Sequence, residues 1–231
     1  MSRIENVFKN IKASGRKALI PYIMAGDPTL SATKKYISVL QQAGADIIEL
    51  GVPFSDPLAD GPTIQRAAER AIKQKVTLRK VLKLVSEVRK STDIPIILMT
   101  YYNPVFKFGV SRFVKAAVKA GVDGLIVPDL IPDEADEYIK ESRKHKLDTI
   151  FLLAPTSTPD RIQKIAGAST GFIYYVSITG ITGSKLSAGT KMRQTLRSIK
   201  KATKKPVAVG FGISTPEEAS SMSKLADGVI I

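Results

Sequence analysis

The chain has no cysteine, no tryptophan and a single histidine in 231 residues. Without cysteine there can be no disulfide, thiolate nucleophile or thiolate-held metal. The lone histidine, His145, sits in a charged stretch that reads as the exposed tail of a helix, and it cannot build the usual metal cluster by itself. Long apolar runs are missing as well: nothing approaches the roughly 18 consecutive apolar residues of a membrane-crossing helix. Residues 1–14 lack the unbroken apolar core of a signal peptide and read as a short amphipathic helix with Ile4, Phe8 and Ile11 on one face. The expectation is a soluble cytoplasmic protein that does not contact a membrane. Acidic residues are also scarce, leaving a formal charge of +14. Yet the lysines (Lys80, Lys83, Lys90, Lys140, Lys144, Lys200, Lys201, Lys204 and Lys205 among them) are spread over helix faces rather than gathered in a tract interleaved with aromatics. That pattern describes a solvated surface able to attract anionic substrates, not a nucleic-acid site.

What is present is an alternation of apolar, β-rich runs with segments of helical period. Strands are expected at residues 18–24, 46–50, 95–100, 124–129, 149–154, 171–177, 206–210 and 228–231. Between them Leu78, Val81, Leu82, Val85 and Val88 form one helical stripe, Met192, Leu196 and Ile199 a second, and Ala219, Met222 and Leu225 a third. Thr158 before Pro159 and Thr215 before Pro216 give helix start signals, and Thr215 with Glu218 completes a capping box. Eight strands separated by helices imply a parallel sheet buried on both faces. Count and length favour closure into a (β/α)8 barrel of the TIM type over an open doubly wound sheet. No linker or low-complexity segment divides residues 1–231, so one domain is expected, with its final helix missing after the eighth strand.

Barrel chemistry sits at the C-terminal ends of the strands. Those ends read Met24, Glu49, Met99, Asp129, Ala154, Ser177 and Gly210. No lysine is among them, which disfavours a Schiff-base aldolase; if the barrel is an enzyme, carboxylates carry its proton transfers. Glu49 shares a strand face with Ile47, so it enters the barrel mouth if Ile47 faces the axis. Burial there would raise its pKa, as a general acid requires; a strand-end salt bridge is the bland alternative. Asp60 follows across a loop and could equally be a helix-cap residue ahead of Pro62, while Asp56 before Pro57 reads as a turn residue. The glycine-rich stretches at residues 180–183 and 210–214 would follow strands six and seven. Both suit a phosphate, the second through the helix N-terminus behind it.

The run Ile48-Glu-Leu-Gly-Val-Pro-Phe-Ser-Asp-Pro-Leu-Ala-Asp-Gly-Pro-Thr-Ile-Gln65 resembles, position by position, the signature segment of the tryptophan synthase alpha chain family. Pro21-Tyr-Ile-Met-Ala-Gly-Asp-Pro28, Tyr101-Tyr-Asn-Pro104, Pro128-Asp129, Ala154-Pro-Thr156, Gly180-Ile-Thr-Gly183 and Gly210-Phe-Gly-Ile-Ser214 look like further family landmarks in family order. The resemblance implies a lyase that splits indole-3-glycerol phosphate into indole and glyceraldehyde 3-phosphate. It implies Glu49 as general acid–base residue, Asp60 as its partner at the indole nitrogen, and Tyr174 in support. By the same matching, Tyr22, Ile64, Met99, Ile126, Leu152 and Phe211 line the indole pocket. Thr182 belongs to a closing loop, and Gly183, Gly210, Phe211 and Gly212 belong to the phosphate side. A Gly-Ser phosphate pair would fall just after Ile231, and Ile131 stands where the family more often has proline. The family works as an αββα complex with a pyridoxal-phosphate beta chain; no cofactor or metal is implied for this chain. Pro53–Asp56 and the segments near Asn103 and Pro132 match the partner surface.

Two further readings remain open on sequence alone. One is another phosphate-binding barrel, a phosphosugar isomerase or indole-glycerol-phosphate synthase. The other is a chain that serves only to activate a beta chain.

Overall fold

The computed structural model describes residues 1–176 and 185–231, the second stretch by backbone alone as far as residue 191. Its strands are β1 (Ala18–Ile20), β2 (Tyr22–Met24), β3 (Ile48–Gly51), β4 (Ile96–Met99), β5 (Gly124–Ile126), β6 (Asp148–Ile150), β7 (Leu152–Leu153), β8 (Ile173–Val176), β9 (Val207–Gly210) and β10 (Gly228–Ile230). The helices are α1 (Arg3–Ala13), α2 (Leu30–Gln42), α3 (Pro62–Lys73), α4 (Leu78–Val88), α5 (Tyr102–Phe108), α6 (Val110–Ala120), α7 (Asp136–Lys144), α8 (Pro159–Ala168), α9 (Lys185–Ala202) and α10 (Pro216–Ser223).

All ladders are parallel and run β2-β3-β4-β5-β6 and β1-β10-β9-β8-β7. The two sheets join where a barrel strand is interrupted. Pro21, which has no N–H to donate, separates β1 from β2, yet its carbonyl accepts from Glu49 N–H at 3.0 Å. Phe151 separates β6 from β7 and accepts from Tyr174 N–H at 3.2 Å. Counting each interrupted pair as one strand gives the closed eight-stranded (β/α) barrel expected from the sequence.

Alternation along each strand sorts the side chains into two layers. Ile20, Ile47, Ile97, Ile126, Ile150, Ala208 and Ile230 fill the barrel interior. Ile48, Leu50, Ile96, Leu98, Val207 and Val209 face outward and pack against the helices. Helix α1 closes the lower mouth of the barrel: Ile4, Phe8 and Ile11 are buried in the interior cluster, Phe8 against Phe172 with ring centroids 5.6 Å apart. Each such burial is worth about 1.5–3 kcal/mol, so the apolar face outweighs the polar ties that fix the helix's position. Those ties are Ser2 Oγ donating to Asp148 at 2.6 Å, and Arg3 joining Arg89 on Asp123 at 3.1 and 2.8 Å. Helix α1 thus occupies the end of the barrel opposite the C-terminal mouth.

Three local expectations shift. The second strand begins at Ile48 rather than residue 46, because the Asp46 carboxylate leaves the ladder to accept from Leu19 N–H (2.9 Å) and Arg16 (3.1 Å). The strand from Gly124 stops at Ile126; Asp129 lies beyond it, accepting from the Tyr102 N–H at the start of α5. His145 is half-buried rather than exposed, capping the C-terminus of α7 with Nε2 3.9 Å from Glu141. The start signals at Thr158 and Thr215 operate as expected, each hydroxyl accepting the backbone N–H three residues on.

Candidate active site

Ile47 faces the axis, so Glu49 on the same side of β3 projects into the interior, in register with Tyr22 on β2 and Ile97 on β4. The residue is 1% exposed, and among the described residues Oε2 has no hydrogen-bond partner. Burial first, and the negative charge of Asp60 second, push its pKa from the ordinary 4.5 to about 8. Among the described residues no cation pairs with it. That removes the salt-bridge alternative.

Asp60 stands in the loop between β3 and α3. It is not the cap residue: α3 starts from Gly61 with no side-chain cap, and Asp60 contributes only its carbonyl, which accepts from Gln65 Nε2 at 2.8 Å. The side chain instead turns inward, with Oδ1 buried and without a partner among the described residues. Burial raises its pKa, and a hydrogen bond from the Tyr101 hydroxyl opposes the rise. Because the Asp60 charge acts on Glu49, Asp60 is the member of the pair that ionises first.

Two tyrosines flank the carboxylates by reaching over glycines of neighbouring strands. A Cβ on Gly51 would lie 2.1 Å from Tyr22 Oη, and one on Gly210 would lie 2.3 Å from Tyr174 Oη. Burial holds both phenols well above their ordinary range, reinforced by Asp60 and Glu49 at Tyr22 and by Glu49 at Tyr174. Both therefore stay neutral hydroxyls near the carboxyl pair. Tyr174 meets Phe211 edge-on at 5.9 Å.

Met99 and Ile126 are buried in the interior cluster, and Leu152 and Phe211 pack against it half-buried. Ile64 does not join them: at the start of α3 it packs against the sheet–helix layer. On the far side of the mouth, Phe211 and Gly212 follow Gly210 with φ of 73° each, a left-handed turn that glycine tolerates and phenylalanine rarely adopts. The helix N-terminus behind this turn carries the expected capping box. Glu218 of α10 already accepts from the N–H groups of Ser214 (2.8 Å) and Thr215 (3.3 Å), so the helix supplies these donors to its own carboxylate. Thr182 and Gly183 lie outside the described residues.

One residue at the site escaped the sequence reading. Tyr101, just past the end of β4 and 4% exposed, accepts from Ala59 N–H at 2.9 Å and packs its ring on Phe54 at 5.3 Å. The strand expected over 95–100 stops one residue short of it; its place in the Tyr101-Tyr-Asn-Pro104 landmark was the available signal.

A family model described as tryptophan synthase alpha chain matches residues 8–231. The tryptophan synthase alpha chain of Geotalea uraniireducens (strain Rf4) is 51% identical over the whole of this chain and 86% of its own length. That of Geobacter sulfurreducens is 49% identical over the whole chain and 88% of its own. Among solved structures, tryptophan synthase subunit alpha from Legionella pneumophila superposes with a TM-score of 0.92 at 41% identity, covering all of this chain and 86% of that one. A chain of Mycobacterium tuberculosis tryptophan synthase gives 0.91 at 41%, covering 99% and 88%.

Proposed function

The chain belongs to the tryptophan synthase alpha chain family, and from that premise we propose how its own side chains carry the reaction. The reaction is a lyase step of tryptophan biosynthesis: indole-3-glycerol phosphate is cleaved to indole and glyceraldehyde 3-phosphate. Glu49 is neutral at pH 7 and donates its proton to indole C3. Positive charge then develops on the ring nitrogen, and ionised Asp60 stabilises it by accepting the ring N–H. As the bond from C3 to the glycerol chain breaks, its electron pair restores the aromatic ring. The adjacent hydroxyl gives up its proton, assisted by the Glu49 carboxylate, and becomes the aldehyde. Tyr174 supports Glu49. Tyr22, Met99, Ile126, Leu152 and Phe211 form the apolar bed for the indole, with Ile64 at its margin. Gly210, Phe211 and Gly212, together with Gly183, take the phosphate side, and Thr182 belongs to the loop that closes the site.

The observation that carries this reading is the pair of inward carboxyls, one protonated near neutrality and the other beside it with an oxygen that has no partner among the described residues. Exposed Leu58 and Phe106, near Asp56 and Asn103, support docking of the pyridoxal-phosphate beta chain in an αββα complex. No pyridoxal phosphate is assigned to this chain, and we place the enzyme in the cytoplasm. No helix among the described residues is long and apolar enough to cross a membrane.

The test is indole release by the purified chain, alone and with a beta chain. Glu49→Gln and Asp60→Asn should each lower turnover by about 10²–10⁴ while the folded structure persists. Near wild-type turnover in either variant would remove that residue from its role. Isomerisation or ring closure without indole release would point to another phosphate-binding barrel. Activation of the beta chain without indole formation would leave a partner role alone.

A further inference from the structure

Asp60 is carried by a loop, and a loop carboxylate is useful to a developing cation only if it is held still. The element that holds it is Tyr101, fixed at the end of β4 and almost fully buried. The phenol touches the loop at two places. Its ring packs on Phe54 near the loop's start. Its oxygen accepts the Ala59 N–H at 2.9 Å. The hydroxyl so placed also favours the charged form of Asp60, against the rise that burial causes. Among the described residues, Asp60 Oδ1 is buried without a hydrogen-bond partner.

We propose that Tyr101 is a positioning residue for the lyase reaction, tying the Asp60 loop to the barrel and presenting the Asp60 carboxylate to the indole N–H. The proposal rests on the reading of Asp60 as acceptor for that N–H. The other titratable groups bearing on the pair are Glu49 from β3, Tyr22 from β2 and Asp129 beyond β5. Among the described residues, only Tyr101 acts to lower the Asp60 pKa. Burial pushes the tyrosine itself up to about 12, so it remains a proton donor throughout the working range.

Tyr101→Phe removes the hydroxyl and keeps the ring on Phe54, so its thermal midpoint should stay near wild type. A lost hydrogen bond to a charged group corresponds to about tenfold or more in rate. We expect that loss in kcat, with a smaller change in KM. The Asp60 carboxyl, followed by carbon NMR, should titrate at higher pH, and the acid limb of the rate profile should move with it. Adding Tyr101→Phe to Asp60→Asn should cost little further, since the two act through one group. An unmoved Asp60 titration overturns the proposal even if the rate falls, because Tyr101 would then act on the substrate and not through Asp60. An unchanged rate overturns it as well. Full activity in Asp60→Asn alone would instead remove the underlying reading, so the two failures are distinguishable.

Discussion

Glu49 is held where its ionisation works against folding, and the sign of that effect is measurable. In the folded chain it keeps its proton up to about pH 8, whereas its ordinary pKa is 4.5. Between those values the folded state binds a proton that the unfolded state has released, so stability falls as pH rises through the window. Below it both states are protonated and the penalty disappears. Each pKa unit is worth about 1.4 kcal/mol, so Glu49 alone can tilt the stability curve by a few kcal/mol. Glu49→Gln cannot ionise and should flatten that slope, becoming relatively more stable toward alkaline pH. Asp60 and Asp148 are also raised by burial, so the informative quantity is the difference between variant and wild type. Urea melts near pH 5, 7 and 9 would give it; parallel pH dependences in the two proteins would mean that Glu49 does not carry the raised proton. The residue proposed to do the chemistry is thus also one that the fold would be more stable without.

At the scale of elements, the N-terminal helix and the rim loops separate stability from catalysis. Helix α1 buries Ile4, Phe8 and Ile11 in the lower half of the barrel, opposite the carboxyl pair. Phe8→Ala should therefore cost about 3–5 kcal/mol, the usual range for a buried phenylalanine, yet leave kcat nearly unchanged well below the melting temperature. A large fall in kcat with an unaltered melting midpoint would contradict that division. The same contrast explains how much could be read beforehand. The α1 stripe was legible because helical period repeats, and the inward direction of Glu49 was legible because strand alternation puts it with Ile47. The strand boundaries at Asp46 and Asp129 were not, since each is set by a side chain bonding to a distant backbone N–H. Nor were the roles of Tyr101 and Gly51. Tyr101 acts through a loop that has no period, and Gly51 must lack a side chain only because Tyr22 crosses over it from the next strand. Family matching grouped Ile64 with the indole-lining residues; at the start of α3 it packs against the sheet–helix layer, as Tyr22 also does.

The molecule as a whole carries a charge of +14 around an interior that is almost wholly apolar. Such a field does not select a fold, but it raises the local concentration of anions and speeds their encounter. Indole-3-glycerol phosphate carries its negative charge on the phosphate, whereas indole carries none, so the two ligands report the field differently. The Debye length shrinks from about 10 Å at 0.1 M salt to about 3 Å at 1 M. Across that range kcat/KM for the phosphorylated substrate should fall severalfold, mainly through KM. The chemical step, enclosed beside a residue that is 1% exposed, should be nearly indifferent to salt. Binding of free indole should show none of the decline and should tighten slightly if the salt is one that strengthens apolar burial. The comparison needs steady-state rates for the substrate and a direct titration with indole over one salt series. If indole affinity and substrate kcat/KM decline together, salt is acting on the barrel mouth rather than on the long-range field. The surplus lysines would then be a solvation feature with no part in substrate capture.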